Sequence, residues 1–383
     1  MIASLLAAAA LFVWIYLVAA RGGFWCAGER ESGGAAPRAW PRVVAVIPAR
    51  DEADGVGETI KSLLLQDYPG PFSIVLVDDE STDGTAGVAL LAANATGGRD
   101  RLAIVPGVPR PPGWTGKLWA MKQGVERADA MQPEFLLHTD ADIVYRADVL
   151  SDLVSRALDE GLALSSLMAK LRCDSLAERT LIPAFIFFFQ MLYPFSWVND
   201  RRNPIAAAAG GCMLVRRDAL RAAGDIEAIR GSIIDDCALA RVLKLQGPIR
   251  LALSERVSSL RAYAEIGEIR RMVVRSAYAQ LRYSPLLLVG TIAGLALVYL
   301  VPVIVAIFGH GVTEVLGLLA WATMAVVFQP ILRFYGRAPT WGPFLPAIAL
   351  VYMVFTLDSA YQSWRGRGGL WKGRLQENKA RAP

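Results

Sequence analysis

Phe135-Leu136-Leu137-His138-Thr139-Asp140-Ala141-Asp142 decides how this chain is read. A short apolar run stops abruptly at two carboxylates spaced i, i+2. In extended backbone successive side chains alternate, so Asp140 and Asp142 face one side from the end of a buried strand. Two oxygen donors at that spacing suit a hard divalent cation, Mg2+ or Mn2+, with a diphosphate supplying further oxygens. The plainer reading has Asp142 capping a helix from about residue 146 and Asp140 simply ending the strand in solvent.

Working outward, the same rhythm recurs. Val43-Val44-Ala45-Val46-Ile47-Pro48 is a continuous apolar run of the kind found in central parallel strands, and an amphipathic helix follows over 56–66. Ile74-Val75-Leu76-Val77 is a second strand, ending in Asp78-Asp79-Glu80-Ser81-Thr82-Asp83-Gly84-Thr85, a polar turn that opens another helix. Strands at 102–105 and 135–139, a helix that Gly113 to Lys117 leads into and that reaches about residue 127, and a helix at 147–159 continue the alternation. This predicts an α/β fold, a mostly parallel sheet with helices on both faces. Ligands of such sheets bind beyond the carboxyl ends of the strands, where Asp78, Asp79, Asp140 and Asp142 all fall.

No G-x-G-x-x-G follows the first strand, so the dinucleotide fingerprint is absent. Gly113-Trp114-Thr115-Gly116-Lys117-Leu118 resembles a P-loop only loosely, with Leu118 where Ser or Thr would hold magnesium. Lys117 either reaches a phosphate or is a solvated lysine on a first helical turn. Ala206 to Gly211 is a run of small residues; Gly210 and Gly211 let a ligand or lipid acceptor approach the backbone closely. Asp235-Asp236 opens a helix after Ile233-Ile234. Acids there stabilise a helix start, but two in a row exceed what capping needs, and one can serve as a general base. A basic amphipathic helix is expected over 265–281.

Of the 383 residues 54% are hydrophobic, too many for a purely soluble protein, and the charges concentrate between about residues 21 and 282. Residues 1–20 form a membrane anchor, disfavoured as a signal peptide because no basic region precedes them. A linker occupies 21–42, a soluble domain 43–283, three membrane segments 284–363 and a basic tail 364–383. The aromatic stretch 181–198, bracketed by prolines, is too short to span and reads as interfacial, with a buried core helix as its rival. If all four segments cross, the C-terminal flank emerges opposite the domain, yet its basic residues call for the cytoplasmic side. A re-entrant or interfacial segment would remove the conflict. The net charge of +5 is partly juxtamembrane, and no aromatic–basic interleaving points to nucleic acid. Four cysteines without a CxxC pair and two histidines suggest neither a zinc site, a disulfide framework nor a Ser-His-Asp triad.

Over roughly 43–283 the chain resembles the membrane-bound family 2 glycosyltransferases with a GT-A fold. The motifs are Pro48-Ala49-Arg50-Asp51-Glu52, Val77 to Thr85, Asp140-Ala141-Asp142, and Asp235-Asp236 with Gln280 and Arg282 downstream. Within that group it looks most like the hopanoid biosynthesis-associated glycosyltransferases, which are similar to ceramide glucosyltransferases. Gly113 to Ala120 and Ala277-Tyr278-Ala279-Gln280-Leu281-Arg282-Tyr283 carry that closer likeness. The resemblance implies that Pro48, Glu52, Asp78 and Asp79 hold the nucleoside of a nucleotide sugar, expected to be a UDP-sugar. Asp140 and Asp142 would engage its diphosphate through Mg2+ or Mn2+, Asp236 would be the catalytic base beside Asp235, and Gln280 and Arg282 would correspond to a Q-x-x-R-W element. The chain departs from that pattern: Gln280 and Arg282 are one residue too close, Tyr283 replaces Trp, and Asp235 replaces the commoner Glu. A membrane-lipid acceptor, an inner-membrane location in a bacterium and a cytoplasmic catalytic domain follow as expectations. Hopanoid, ceramide and polyprenyl-phosphate acceptors, a membrane-tethered nucleotidyltransferase and a non-catalytic scaffold are the alternatives.

Overall fold

β1 (Val43–Ala49) is buried at every position, as its unbroken apolar sequence requires. The computed structural model describes residues 1–371, 374 and 375. The remaining strands of its main sheet are β2 (Phe72–Asp78), β3 (Leu102–Pro106), β4 (Phe135–His138), β5 (Ile143–Tyr145), β6 (Leu164–Lys170), β7 (Met213–Arg216) and β8 (Ile249–Ser259). Their spatial order is β3-β2-β1-β4-β7-β6-β8-β5. β1 pairs in parallel with β2 and β4, β2 with β3 and β6 with β8, while β7 runs antiparallel between β4 and β6. This is a Rossmann-like, mostly parallel sheet, as the alternation predicted, and of the GT-A kind that the resemblance implied. The crossover helices Ala53–Leu64, Thr85–Ala95, Gly116–Asp129 and Val149–Asp159 match the expected positions to within a few residues. A core of Ile47, Ile60, Leu63, Ile74, Leu76 and Leu137 fills the layer between sheet and helices.

Two compact units divide the chain. The sheet unit comprises residues 29–172, 197–262 and 370–383. The expected continuous domain 43–283 is therefore interrupted: residues 173–196 and 263–283 pack with the apolar helices instead. That second unit contains Ile2–Ala20, Pro285–Phe308, Val312–Phe334 and Pro339–Trp364, four helices long and apolar enough to cross a membrane. The stretch expected at 181–198 lies mostly in the helix Leu176–Leu192, which starts earlier because Ser175 and Glu178 form a capping box. Phe187 of that helix stacks against Phe24 and Phe328.

The helix expected over 265–281 is broken into Ile266–Val274 and Ala277–Gln280. Ser359, from the last apolar helix, supplies the reason. Its hydroxyl donates to the Val274 carbonyl at 2.6 Å and accepts from the Tyr278 N–H at 2.9 Å, satisfying the backbone at the break. Arg365 and Arg367 of the basic tail follow this helix; most of the rest of that tail lies outside the described residues.

Candidate active site

The expected platform is rearranged at its first residue. β4 ends at His138, so Asp140 leaves the sheet and Ala141-Asp142 form a turn. The alternation argument for placing both carboxylates on one side therefore does not apply. Each acid faces its own cation. Lys117 Nζ lies 2.8 Å from Asp140 Oδ1 and 3.1 Å from Asp235 Oδ2. Asp142 Oδ2 accepts from Arg261 Nε at 2.8 Å, and the other arm of that guanidinium reaches Glu52 Oε1 at 2.8 Å.

Local structure explains how Lys117 arrives there. Thr115 caps the helix Gly116–Asp129 by accepting from the Leu118 N–H at 3.3 Å, which places Lys117 in the first turn. The other end of the helix is anchored by Arg217. Its guanidinium donates to both oxygens of Asp129, at 2.6 and 2.7 Å, and to Asp225 at 3.0 and 3.1 Å. The lysine is mostly buried. Burial alone would lower its pKa, but Asp140 and Asp235, with Asp236 beyond, outweigh it and hold the ammonium charged. Lys117 is not the solvated lysine that was one expectation: it ties the β4 loop to the start of the helix Asp235–Lys244.

Asp236 completes this cluster. Its Oδ2 accepts from the Gly210 N–H at 3.1 Å and its Oδ1 from the Cys237 N–H at 2.7 Å. Burial and the neighbouring Asp235 push its pKa up to about 6, against the downward pull of Lys117 and the two N–H groups. Asp140 is also raised, first by burial, then by Asp142 and Asp235, with Lys117 opposing. Gly210 is packed closely: a Cβ there would stand 3.4 Å from Lys117 Nζ and 3.6 Å from Asp236 Oδ2. The Gly211 carbonyl accepts from the Thr139 and Tyr145 hydroxyls, each at 2.9 Å. Gly210 thus belongs to the same cluster as the acids, and Gly211 to the hydroxyl pair beside it.

The other expected residues lie at the ends of β1 and β2. Pro48 is buried in β1 opposite Val77. Asp51 and Glu80 adopt left-handed backbone with φ of 48° and 57°, uncommon for residues other than glycine. The two loops are laced together: Asp51 N–H donates to Ser81 Oγ at 3.0 Å and Thr82 N–H to Asp51 Oδ1 at 2.8 Å. Glu52 N–H donates to Thr85 Oγ1 at 2.9 Å, and Asp78 Oδ1 accepts from Ser81 N–H at 3.0 Å. Asp79 is buried at 1% exposure, with Arg50 Nη1 3.8 Å from its carboxylate. Gln280 and Arg282 belong to the other unit. There the Gln280 amide donates to the Tyr193 hydroxyl at 2.7 Å, while Arg282 and Tyr283 adopt left-handed backbone.

Arg261 is the residue that sequence reasoning missed. It joins Glu52, behind β1, to Asp142, behind β4, across some 200 residues of sequence, and no local motif marks it. His138 was passed over as well. It is fully buried, and burial, followed by Arg217 and Lys117, lowers its pKa to about 3, so the imidazole is neutral beside the acids.

Among the described residues no group of three or more His, Cys, Asp or Glu side chains is arranged to hold a metal ion. Asp140 and Asp142 offer oxygen donors of the right chemistry for Mg2+ or Mn2+, so the residues fit such an ion provided that substrate oxygens complete its shell.

An open α/β sheet with acids behind β1, β2 and β4 and a carboxylate pair at a facing helix start defines a GT-A glycosyltransferase fold. Residues 44–224 match the family model described as Glycosyl transferase family 2. An N-acetylglucosaminyltransferase of Azorhizobium caulinodans is 30% identical over 191 residues, 47% of this chain and 43% of that protein. An N-acetylglucosaminyltransferase of Rhizobium leguminosarum bv. viciae is 26% identical over 188 residues, 47% and 40% of the two chains. The matches thus span less than half the length of these curated relatives. Among solved structures, the mannosyltransferase PcManGT from Pyrobaculum calidifontis in complex with GDP-Man and Mn2+ superposes with a TM-score of 0.55. It covers 91% of this chain and 99% of that one at 19% identity, a likeness of fold.

Proposed function

We propose that this protein is an inverting, metal-dependent glycosyltransferase that moves a sugar from a nucleoside-diphosphate sugar to a membrane lipid. The observation that carries the reading is Asp236: a buried carboxylate with its pKa raised to about 6, oriented by two backbone N–H groups and adjoining the Lys117–Asp140 pair. A base needs a pKa near the working pH and a fixed direction of attack, and Asp236 has both. In a single displacement it takes the proton of the acceptor hydroxyl as that oxygen bonds to the anomeric carbon and the sugar–diphosphate bond breaks.

Asp140 and Asp142 would hold a divalent cation, which supplies charge stabilisation at the leaving diphosphate. Lys117 positions rather than reacts: it keeps the Asp140 loop and the Asp235–Asp236 turn in register. Glu52, Asp78 and Asp79, on the laced loops behind β1 and β2, would receive the nucleoside, with Arg261 linking that side of the site to Asp142. Gln280 and Arg282 are proposed as diphosphate contacts on the strength of the motif resemblance, and Gly210 and Gly211 as the acceptor's approach.

The four apolar helices support a lipid acceptor and a bilayer location. The names of the two relatives favour an N-acetylhexosamine donor. A hopanoid acceptor rests on the motif resemblance, and ceramide-type and polyprenyl-phosphate lipids are the alternatives. The test is incubation of purified protein with a panel of nucleotide sugars and total bacterial lipid, followed by mass spectrometry. The expected result is a lipid heavier by one hexose or N-acetylhexosamine together with one nucleoside diphosphate. Release of pyrophosphate from a nucleoside triphosphate instead would mark a nucleotidyltransferase.

A further inference from the structure

Length and hydropathy give four candidate crossings, but the contacts within the membrane unit fix their depths relative to one another. Near the start of the first helix, Ser4 Oγ is 2.7 Å from Thr313 Oγ1, beside the connection 309–311. Midway along, Trp14 Nε1 donates to the Val298 carbonyl at 3.0 Å and its ring meets Tyr299 edge-on. Ile2–Ala20 and Pro285–Phe308 therefore run antiparallel, and Arg21 and Pro285 share one face of the unit. The connection 309–311 marks the opposite face. Val312–Phe334 returns from there, with Gly317 packed against the Pro302 carbonyl and, further along, Phe328 against Phe187, which also stacks on Phe24 just past Arg21. Each of these three helices runs from one face of the unit to the other.

The last segment behaves differently. Leaving Phe334 on the Arg21 face, the chain doubles back along the helix it has just left. Gln329 Nε2 donates to the Pro339 carbonyl at 3.2 Å, a Cβ on Gly342 would stand 2.7 Å from the Ala325 carbonyl, and Trp321 Nε1 donates to the Pro343 carbonyl at 2.9 Å. Trp321 lies roughly 12 Å along the helix from Thr313, at 1.5 Å per residue. The chain thus turns past mid-depth, about 12 Å short of the level of Thr313, and the helix Leu345–Trp364 heads back. Tyr352 meets Phe188 at the level of Tyr299; Ala360 packs with Leu288, and Trp364 Nε1 donates to the Tyr278 hydroxyl at 3.3 Å. Asp358 lies 2.6 Å from Arg270, as expected of a carboxylate at the interface rather than in hydrocarbon.

We infer that Pro339–Trp364 does not cross the bilayer: it re-enters from the Arg21 face, turns back short of the opposite face and returns, so the described residues cross three times. Residues 365–371 then lie on the Arg21 face, from which the chain leaves at Arg21 and to which it returns at Pro285. The distribution of charge agrees. Neither 1–20 nor 283–332 contains a lysine or arginine, whereas Arg21, Arg270, Arg282, Arg337 and Arg365 all flank the other face. That face is cytoplasmic by the positive-inside rule, and the conflict between span count and basic tail disappears.

The inference rests on the membrane reading of this unit, and the experiment separates the two. Cys26 and Cys173 are replaced by serine in the full chain, the buried Cys212 and Cys237 being left in place. His310→Cys, Arg337→Cys and Arg367→Cys are then introduced singly and probed with a membrane-impermeant maleimide in sealed vesicles of each orientation. Positions 337 and 367 should label from one side and 310 from the other. Labelling of 367 together with 310, in protein that resists alkaline carbonate extraction, overturns the re-entrant segment alone; release by carbonate overturns the membrane reading as well. A fluorescent protein fused after Pro383 of the otherwise unchanged chain gives a second reading. It should be fluorescent in bacterial cells, and a dark but full-length fusion in the membrane contradicts the inference.

Discussion

Two ion-pair networks share the loop Asp140-Ala141-Asp142, and they differ in burial. On one side Lys117, with its side chain 17% exposed, bridges Asp140 and Asp235 next to the raised carboxylate of Asp236. On the other, Arg261, 39% exposed, forks between Asp142 and Glu52. A buried ammonium between carboxylates cannot be removed without leaving uncompensated charge. An arginine at the rim can be exchanged for solvent or ligand at little cost. The difference separates a fixed half, which carries the proposed base Asp236, from a yielding half, where the proposed nucleotide site would open.

The strongest challenge to that division is removal of the divalent ion. Chelation should reduce transfer on the order of 10³-fold, equivalent to several kcal/mol of leaving-group stabilisation, and Mn2+ or Mg2+ should restore it. Assay of nucleoside diphosphate release before and after re-addition checks this. Thermal unfolding should be nearly unchanged, because Asp140 and Asp142 already have protein partners.

Lys117→Met should act on the fold itself. Breaking one partner out of a buried pair typically costs about 3–5 kcal/mol, so a clear drop in Tm is expected, with activity falling alongside. A normal Tm with a weakened affinity for nucleotide sugar would instead return Lys117 to the role of phosphate clamp. Arg261→Ala should do the reverse and give the smallest stability effect, within about 1 kcal/mol. Its signature should be a raised donor KM, measured by initial rates, with Tm shifted by no more than a few degrees.

The sheet was legible where sequence and burial coincide. The unbroken apolar run of β1, and the runs of β2 and β4 that stop at acids, leave no other reading. β5 has only three residues, too few for a pattern, and β6 hides behind Ser165-Ser166. Ser166 is buried yet satisfied, its hydroxyl donating to the Cys212 carbonyl at 3.0 Å, a partner that only the fold supplies. The Asp235–Asp236 pair is legible in the sequence, because a helix start beginning with two acids is a local signal. Arg261 was not, since its meaning depends on Glu52 and Asp142 being brought to it. The placing of Asp140 and Asp142 on one side failed for a related reason: alternation holds only while the strand lasts, and β4 ends at His138. The last apolar segment has the length of a span, and only its contacts with Trp321 and Gln329 show where it turns.

The most direct test of Asp236 as the base measures donor binding and sugar transfer on the same preparation of Asp236→Asn, across a pH range. For the unaltered protein, a base whose pKa is raised to about 6 must lose its proton before it can act, so kcat/KM should rise with pH up to about 6 and level above it. The variant should bind nucleotide sugar much as before, transfer about 10²–10⁴-fold more slowly, and lose that inflection. Transfer at the normal rate with the inflection intact would contradict the account.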